Sequence, residues 1–257
     1  MHCARRCLKP IAVLVLLAAS FLAAHAAPAR EDPSPAHKLQ TVLKNSIPRL
    51  EEELAGQGFR LGLPVFIRIF KLPGKLEIWL ADNGPYRLFK TYPICSYSGY
   101  LGPKLREGDW QSPEGFYSVT AERMNPRSSY HLSFNIGYPN EYDRGLGRDG
   151  GNIMVHGDCA SMGCFAMNDG RIEEIYTLVL AALAAGQEPV PVHVFPFPLT
   201  DANLDKFRYS PWLGFWKNLK EGFDVFERTG RVPEIGIVDG RYAVIGTLGL
   251  AMSGESR

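Results

Sequence analysis

Cysteine is scarce in this chain, five in 257 residues, and two of the five stand at positions 3 and 7. Charge of one sign is also missing. The 28 basic and 27 acidic residues leave a formal net charge of +1, which excludes the one-signed field that draws a protein to nucleic acid or to a membrane surface. No apolar run reaches the roughly 20 residues a helix needs to cross the hydrocarbon core; the longest, Ile11 to Ala24, has 14. Neither an internal repeat nor a low-complexity tract divides the sequence. With 46% hydrophobic residues it reads as one well-filled domain with short additions at each end. A partner must therefore be recognised by a built site, and nucleic acid is not expected among the partners.

What is present begins with Arg5, Arg6 and Lys9 ahead of that apolar run, which closes on Ala24-His25-Ala26. This pattern is a secretory signal peptide over residues 1–26, cleaved after Ala26. No cysteine follows closely enough to take a lipid, so the mature chain is expected outside the cytoplasm without a permanent membrane span. Cleavage removes Cys3 and Cys7 and leaves Cys95, Cys159 and Cys164. Three is an odd number in a compartment that pairs thiols, so one thiol is left over.

Residues 27–59 read as a polar, Pro-rich linker followed by a helix, with Ser46 and Pro48 marking a restart. PVFIRIFK, KLEIWLA and YRLFKTYPIC read as strands, the last two joined through Asp82-Asn83-Gly84, a hairpin signal. GFYSVTA, YHLSFNIGY and GNIMVHG continue the pattern. The period then changes: Ile172, Ile175, Tyr176, Val179, Leu180 and Leu183 fall on one helical face behind an Asn168-Asp169 cap. VPVHVFPF is a further strand. Residues 201–257 supply another helix and a closing hairpin, packed as an extension on a catalytic domain of residues 60–200. The expected class is α+β, mainly β with flanking helices, built on two packed or partly closed sheets with a reactive loop before an amphipathic helix.

That loop, HGDCASMGC over residues 156–164, packs a histidine, two cysteines and a serine into nine residues. Three readings compete. His156, Cys159, Cys164 and His193 are four N/S ligands of the kind zinc takes, but the spacing lacks a second compact pair, so neither a metal nor a cofactor is expected. A disulfide can join Cys95 to Cys159, leaving Cys164 alone, or join Cys159 to Cys164. In the third reading Cys164 is a nucleophile, His156 takes its proton, and the amides of Met162, Gly163 and Cys164 hold a developing oxyanion. A thiol beside an imidazole is expected to have a lowered pKa. His131 and His193 lie among alternating strand residues and read as structural.

At these residues the chain resembles the L,D-transpeptidases with the YkuD-type catalytic domain, most closely their YafK-like branch. The likeness rests on His156-Gly157, on Ser161-Met162-Gly163-Cys164, on GPKLREGDWQSPEGFY (residues 102–117), and on YHLSFNIGYPNEYD and VHVFPF. It spans roughly residues 60–245. Many members carry a second histidine where this chain has Met162 and an Arg or Asn where it has Ala166, and their loop from histidine to cysteine is longer.

The resemblance implies a YkuD-like fold and two-step acyl transfer on peptidoglycan stem peptides. Cys164 is the nucleophile and His156 the base, with Gly157 and Ser161 supporting the loop and Lys104 and Arg106 near carboxylates of the stem. It also implies a periplasmic setting. The acyl acceptor is an amine, either from another stem or from an envelope lipoprotein, or else water, which would make the enzyme a hydrolase. A peptidoglycan-binding protein that lost the chemistry is the remaining alternative.

Overall fold

The computed structural model describes residues 35–248. The signal peptide expected over residues 1–26, the start of the linker and residues 249–257 lie outside the described residues. Along the chain, α1 (Pro35–Gly56) leads into a meander of β1 (Val65–Phe70), β2 (Lys75–Leu80) and β3 (Arg87–Pro93). A long loop precedes β4 (Gly115–Val119), then come β5 (Met124–Asn125), β6 (Ser133–Asn135), α2 (Glu141–Gly145), β7 (Met154–His156) and β8 (Phe165–Ala166). The amphipathic α3 (Asp169–Ala184), β9 (Val190–Phe195), α4 (Asp201–Lys206), α5 (Leu213–Thr229) and the hairpin β10 (Pro233–Val238) and β11 (Arg241–Thr247) complete it. The class is mixed α+β, sheets with flanking helices, and among the described residues no sheet closes into a barrel.

The composition of β1 explains the layering. Successive strand residues point to opposite faces, and all six residues of β1 are buried, so the strand needs cover on both sides. Val65, Ile67 and Ile69 pack with Leu50 and Leu54 of α1 and with Ile172, Ile175 and Val179 of α3. Phe70 packs with Phe116, Phe195, Trp216 and Phe223, and Phe66 with Phe226 and Val232, beneath α5. β1 accordingly sits centrally in a five-stranded sheet of order β3-β2-β1-β9-β4, parallel to β9 and antiparallel to β2. A second, four-stranded sheet of order β5-β6-β7-β8 shares the first of these cores through Phe134, Val155 and Phe165.

α1 departs from the expected restart. It runs unbroken through Pro48, because Val42, Ser46, Leu50 and Leu54, four residues apart, form one buried stripe whose packing outweighs the hydrogen bond that proline forgoes. The Ser46 hydroxyl has no hydrogen-bond partner among the described residues. The short helices α2 and α4 were not expected from periodicity; each is set by a cap, Asn140 accepting from the Asp143 N–H and Thr200 from the Asn203 N–H. Among the described residues no helix is long and apolar enough to cross a membrane.

Candidate active site

Strand pairing puts His156 beside the short strand that Cys164 leads into. In the parallel pair of β7 and β8, Val155 lies opposite Phe165 and His156 opposite Ala166. Val155, His156, Phe165 and Ala166 are all buried, so this pair of short strands forms a closed wall behind the loop. Cys164 immediately precedes β8, and its sulfur reaches back to the start of β7. The Cys164 sulfur accepts the Met154 N–H at 3.4 Å and lies 3.6 Å from the Asn152 carbonyl oxygen. It is a free, half-buried thiol.

The histidine is oriented by its own neighbour. Its Nδ1 lies 2.5 Å from the Gly157 carbonyl oxygen. A carbonyl only accepts, so Nδ1 carries the proton and Nε2 keeps its lone pair. The ring also packs on Tyr130, with centroids 4.9 Å apart. Position 157 has room for glycine alone: a Cβ there would lie 2.6 Å from the Asp169 carboxylate, 2.8 Å from the His131 Cβ and 2.9 Å from the Tyr130 carbonyl oxygen. The Gly157 N–H meanwhile donates to the carbonyls of Tyr130 and Leu132.

Three serines brace the far end of the loop. Ser161 donates to the Cys164 carbonyl at 2.7 Å, and Ser112 donates to the same oxygen at 3.4 Å. Ser98 accepts the Gly163 N–H at 2.5 Å and shares a hydrogen bond with Ser161. Gly163 adopts φ +114°, in the region that favours glycine. Its amide is thus already engaged, which removes it from the three expected oxyanion donors. Of the three amides expected to hold an oxyanion, those of Met162 and Cys164 remain as candidates. Ser98 and Ser112 escaped sequence reasoning because serine near Gly and Pro reads simply as turn.

Cys95 and Cys159 form a disulfide, with Cα atoms 5.5 Å apart. It fastens the start of the loop to the segment after β3, and that segment is also stitched to β8 through Cys95 N–H to Ala166 O and Ala166 N–H to Ser96 O, both 2.8 Å. Cys159 is therefore not available to zinc. Ala166 is fully buried, so no polar side chain stands where many relatives carry Arg or Asn.

Lys104 and Arg106 are placed differently from each other. Arg106 is exposed. Lys104 is buried, its ammonium 2.5 Å from the Asp109 carboxylate and 2.8 Å from the Arg106 carbonyl, so its charge is committed inside the protein and is not open to a stem carboxylate. Asp109 also accepts from the N–H groups of Leu105, Arg106 and Gln111. Burial pushes its carboxyl up, but these donors outweigh it and hold it below its ordinary value. His131 pairs with Glu173 at 2.8 Å.

Burial dominates the protonation of the reactive pair. It pushes the Cys164 thiol up, with partial relief from the Met154 amide and the Lys104 charge, and it pushes His156 down, opposed by the Gly157 carbonyl and Asp158. The expected lowering of the thiol is reversed: both groups favour their neutral forms. Such a pair suits general-base activation, in which the proton moves to Nε2 as sulfur attacks. A cavity of about 370 Å³ between β4 and the C-terminal hairpin contains neither residue. A second, lined by Tyr130, His131, Asp158, Cys159 and Asp169, lies beside the loop.

Residues 71–194 match the YkuD family, the L,D-transpeptidase catalytic domain. Over 184 residues, 72% of this chain, the sequence is 47% identical to "Putative L,D-transpeptidase YafK" of Escherichia coli K12, 75% of whose length is covered. The same figures hold for the protein of that name in Escherichia coli O157:H7. Among solved structures, the chain is similar to the helical cell shape determining protein Pgp2 from Campylobacter jejuni, with 18% identity, a TM-score of 0.43 and 80% of each chain covered.

Proposed function

Since this chain belongs to the L,D-transpeptidase family, whose catalytic domain acts on peptidoglycan, we propose that it is a periplasmic cysteine acyltransferase of stem peptides, reached by cleavage of the signal peptide. The observation that carries the reading is the orientation of His156. With Nδ1–H given to the Gly157 carbonyl, Nε2 is free to serve as the base, and its strand β7 pairs with β8, which Cys164 directly precedes.

In the first step Nε2 takes the thiol proton while Sγ attacks the carbonyl at the L-centre of the third stem residue, diaminopimelate. The N–H of Cys164, with that of Met162 beside it, faces the negative oxygen that develops. The C–N bond to the terminal D-Ala breaks, the departing amine takes the proton from His156, and a thioester remains on Cys164. In the second step an acceptor amine gives a proton to Nε2 and attacks the thioester; the C–S bond breaks and Sγ takes the proton back from His156, restoring the thiol. A neighbouring stem as acceptor yields a 3→3 cross-link; a lysine of an envelope lipoprotein yields an attachment.

One observation favours water as a second acceptor. Asp158, Cys159 and Ala160 are exposed, and Met162 is 66% exposed, so the loop is open to solvent, and water attacking a thioester makes the enzyme a hydrolase of stem or lipoprotein linkages. Incubation with tetrapeptide muropeptides and with lipoprotein-linked muropeptides separates the two readings. Dimers with released D-Ala are the transpeptidase result, and freed lipoprotein peptide without dimers is the hydrolase result. Turnover undiminished in Cys164→Ala would end both.

A further inference from the structure

Far from solvent, Lys71 and Glu114 face each other at 3.1 Å, with both side chains 0% exposed. Neither belongs to the reactive loop. Lys71 follows β1 and Glu114 precedes β4, and between them they close the neck of the loop over residues 102–112. The Lys71 ammonium donates to the carbonyls of Gly102 and Ser112 at 2.9 and 3.0 Å, so together with Glu114 all three of its protons have acceptors. The Glu114 carboxylate accepts the Gly102 N–H at 2.7 Å on one oxygen and the Trp216 indole N–H at 2.8 Å on the other. Trp216 belongs to α5, and the cap of that helix closes on the same point: a Cβ on Gly102 would lie 2.4 Å from the indole nitrogen of Trp212.

Ser112 is where this network meets the reactive loop. Its carbonyl is held by Lys71, its N–H donates to the Ser98 carbonyl at 2.9 Å, and its hydroxyl contacts the Cys164 carbonyl. Ser98, fixed in turn, holds the Gly163 amide. A continuous path of hydrogen bonds thus runs from α5 through the buried Glu114 and Lys71 to Ser112, and on through part-buried links to the Gly163 amide and the Cys164 carbonyl.

A buried ion pair is a poor source of net stability, since apolar residues of similar volume often serve as well or better. What apolar residues cannot do is grip two carbonyls and an amide at fixed places. We propose that Lys71 and Glu114, with Trp216, are positioning residues for Cys164, and that the C-terminal helix is in this way part of the catalytic apparatus. The proposal rests on the acyl-transfer reading for its kinetic consequence, but not for its effect on the thiol itself.

The test is the Lys71→Met/Glu114→Leu double variant beside Trp216→Phe, which keeps the aromatic bulk and removes the indole donor. Unfolding by circular dichroism, kcat and KM on tetrapeptide muropeptides, and the rate of Cys164 alkylation at pH 9 are measured on each. A positioning role predicts a double variant that unfolds cooperatively, with kcat at least about tenfold lower, KM within about twofold, and an altered alkylation rate. Trp216→Phe is expected to shift kcat and alkylation the same way by about threefold, and it carries the test if the double variant does not fold. Wild-type kcat and alkylation in a folded double variant, or in Trp216→Phe, would overturn the proposal. If the wild-type protein turns over no muropeptide, the acyl-transfer reading fails by itself, and the alkylation rates still decide whether these residues place the thiol.

Discussion

The protonation of Cys164 at rest is the sharpest consequence of the site's burial. The thiol lies above its ordinary value of 9.0 and His156 below its ordinary 6.5. At pH 7 a thiol with a pKa of 9 or more is at most about 1% thiolate, and an imidazole with a pKa below 6.5 is mostly neutral. The resting pair is thus thiol and imidazole, and the thiolate exists only as attack proceeds. The perturbation is pH, and the assay is the second-order rate of Cys164 alkylation by iodoacetamide from pH 5 to 10. Cys164→Ala serves as the blank, and no reductant is added, so that the Cys95–Cys159 bond stays intact. The rate at pH 7 should be no more than about 1% of its alkaline limit, rising through pH 9 and beyond. His156→Gln should leave that inflection in place while abolishing turnover. A plateau reached by pH 6 and lost in His156→Gln would reveal a preformed thiolate–imidazolium pair and refute the reasoning.

Other consequences are equally open to measurement. Gly157→Ala forces a Cβ within 2.6 Å of Asp169 and 2.9 Å of a backbone oxygen; overpacking of this kind costs about 1–3 kcal/mol, and displacement of the His156 acceptor should lower kcat about 100-fold. Denaturant unfolding and turnover check the two effects, and wild-type turnover would show that the carbonyl does not orient the base. The Cys95–Cys159 bond closes a separation of 64 residues, for which chain entropy gives about 4 kcal/mol. Cys95→Ser/Cys159→Ser should lose about that stability and some kcat, whereas unchanged unfolding midpoints would contradict the estimate. His193, packed between Phe66 and Phe116, is pushed down to about 3, mainly by burial and also by Arg68. The unfolded chain therefore binds a proton that the folded one refuses below pH 6.5, and stability falls as pH drops from 6.5 towards 3. Relative to pH 7 the loss at pH 5 is about 2 kcal/mol. Urea unfolding at the two pH values measures it, and His193→Leu should lack this part of the pH dependence.

Much of the fold was legible because local and global patterns agree in it. The β-branched and aromatic run VFIRIF announced a strand, and the 3.6-residue period behind Asn168 announced α3, whose cap is the Asn168 side chain accepting from the Arg171 N–H. Local signals failed where tertiary packing decided the outcome. Pro48 reads as a break, yet the buried stripe of α1 carries the helix through it. β8 has two residues and exists because β7 on one side and Ser96 on the other pair with it, which no periodicity can show.

The site divides in the same way. His156 and Cys164 stand out by residue type, and Gly157 by its place after the histidine. Ser98, Ser112, Lys71 and Glu114 are ordinary residues made important by contacts between segments tens of residues apart, and composition is silent about those. The resemblance puts Lys104 near stem carboxylates; here Asp109, five residues on, draws it inside.

The measurement that bears most directly on the central claim is mass spectrometry of the purified mature protein trapped during reaction with tetrapeptide muropeptides and with lipoprotein-linked muropeptides. The account predicts a stem-peptide thioester on Cys164, absent from Cys164→Ala and depleted in His156→Gln, with the released product identifying the bond cleaved. No adduct on Cys164 with either substrate, in a protein that still binds peptidoglycan, would contradict it and leave a binding protein in the enzyme's place.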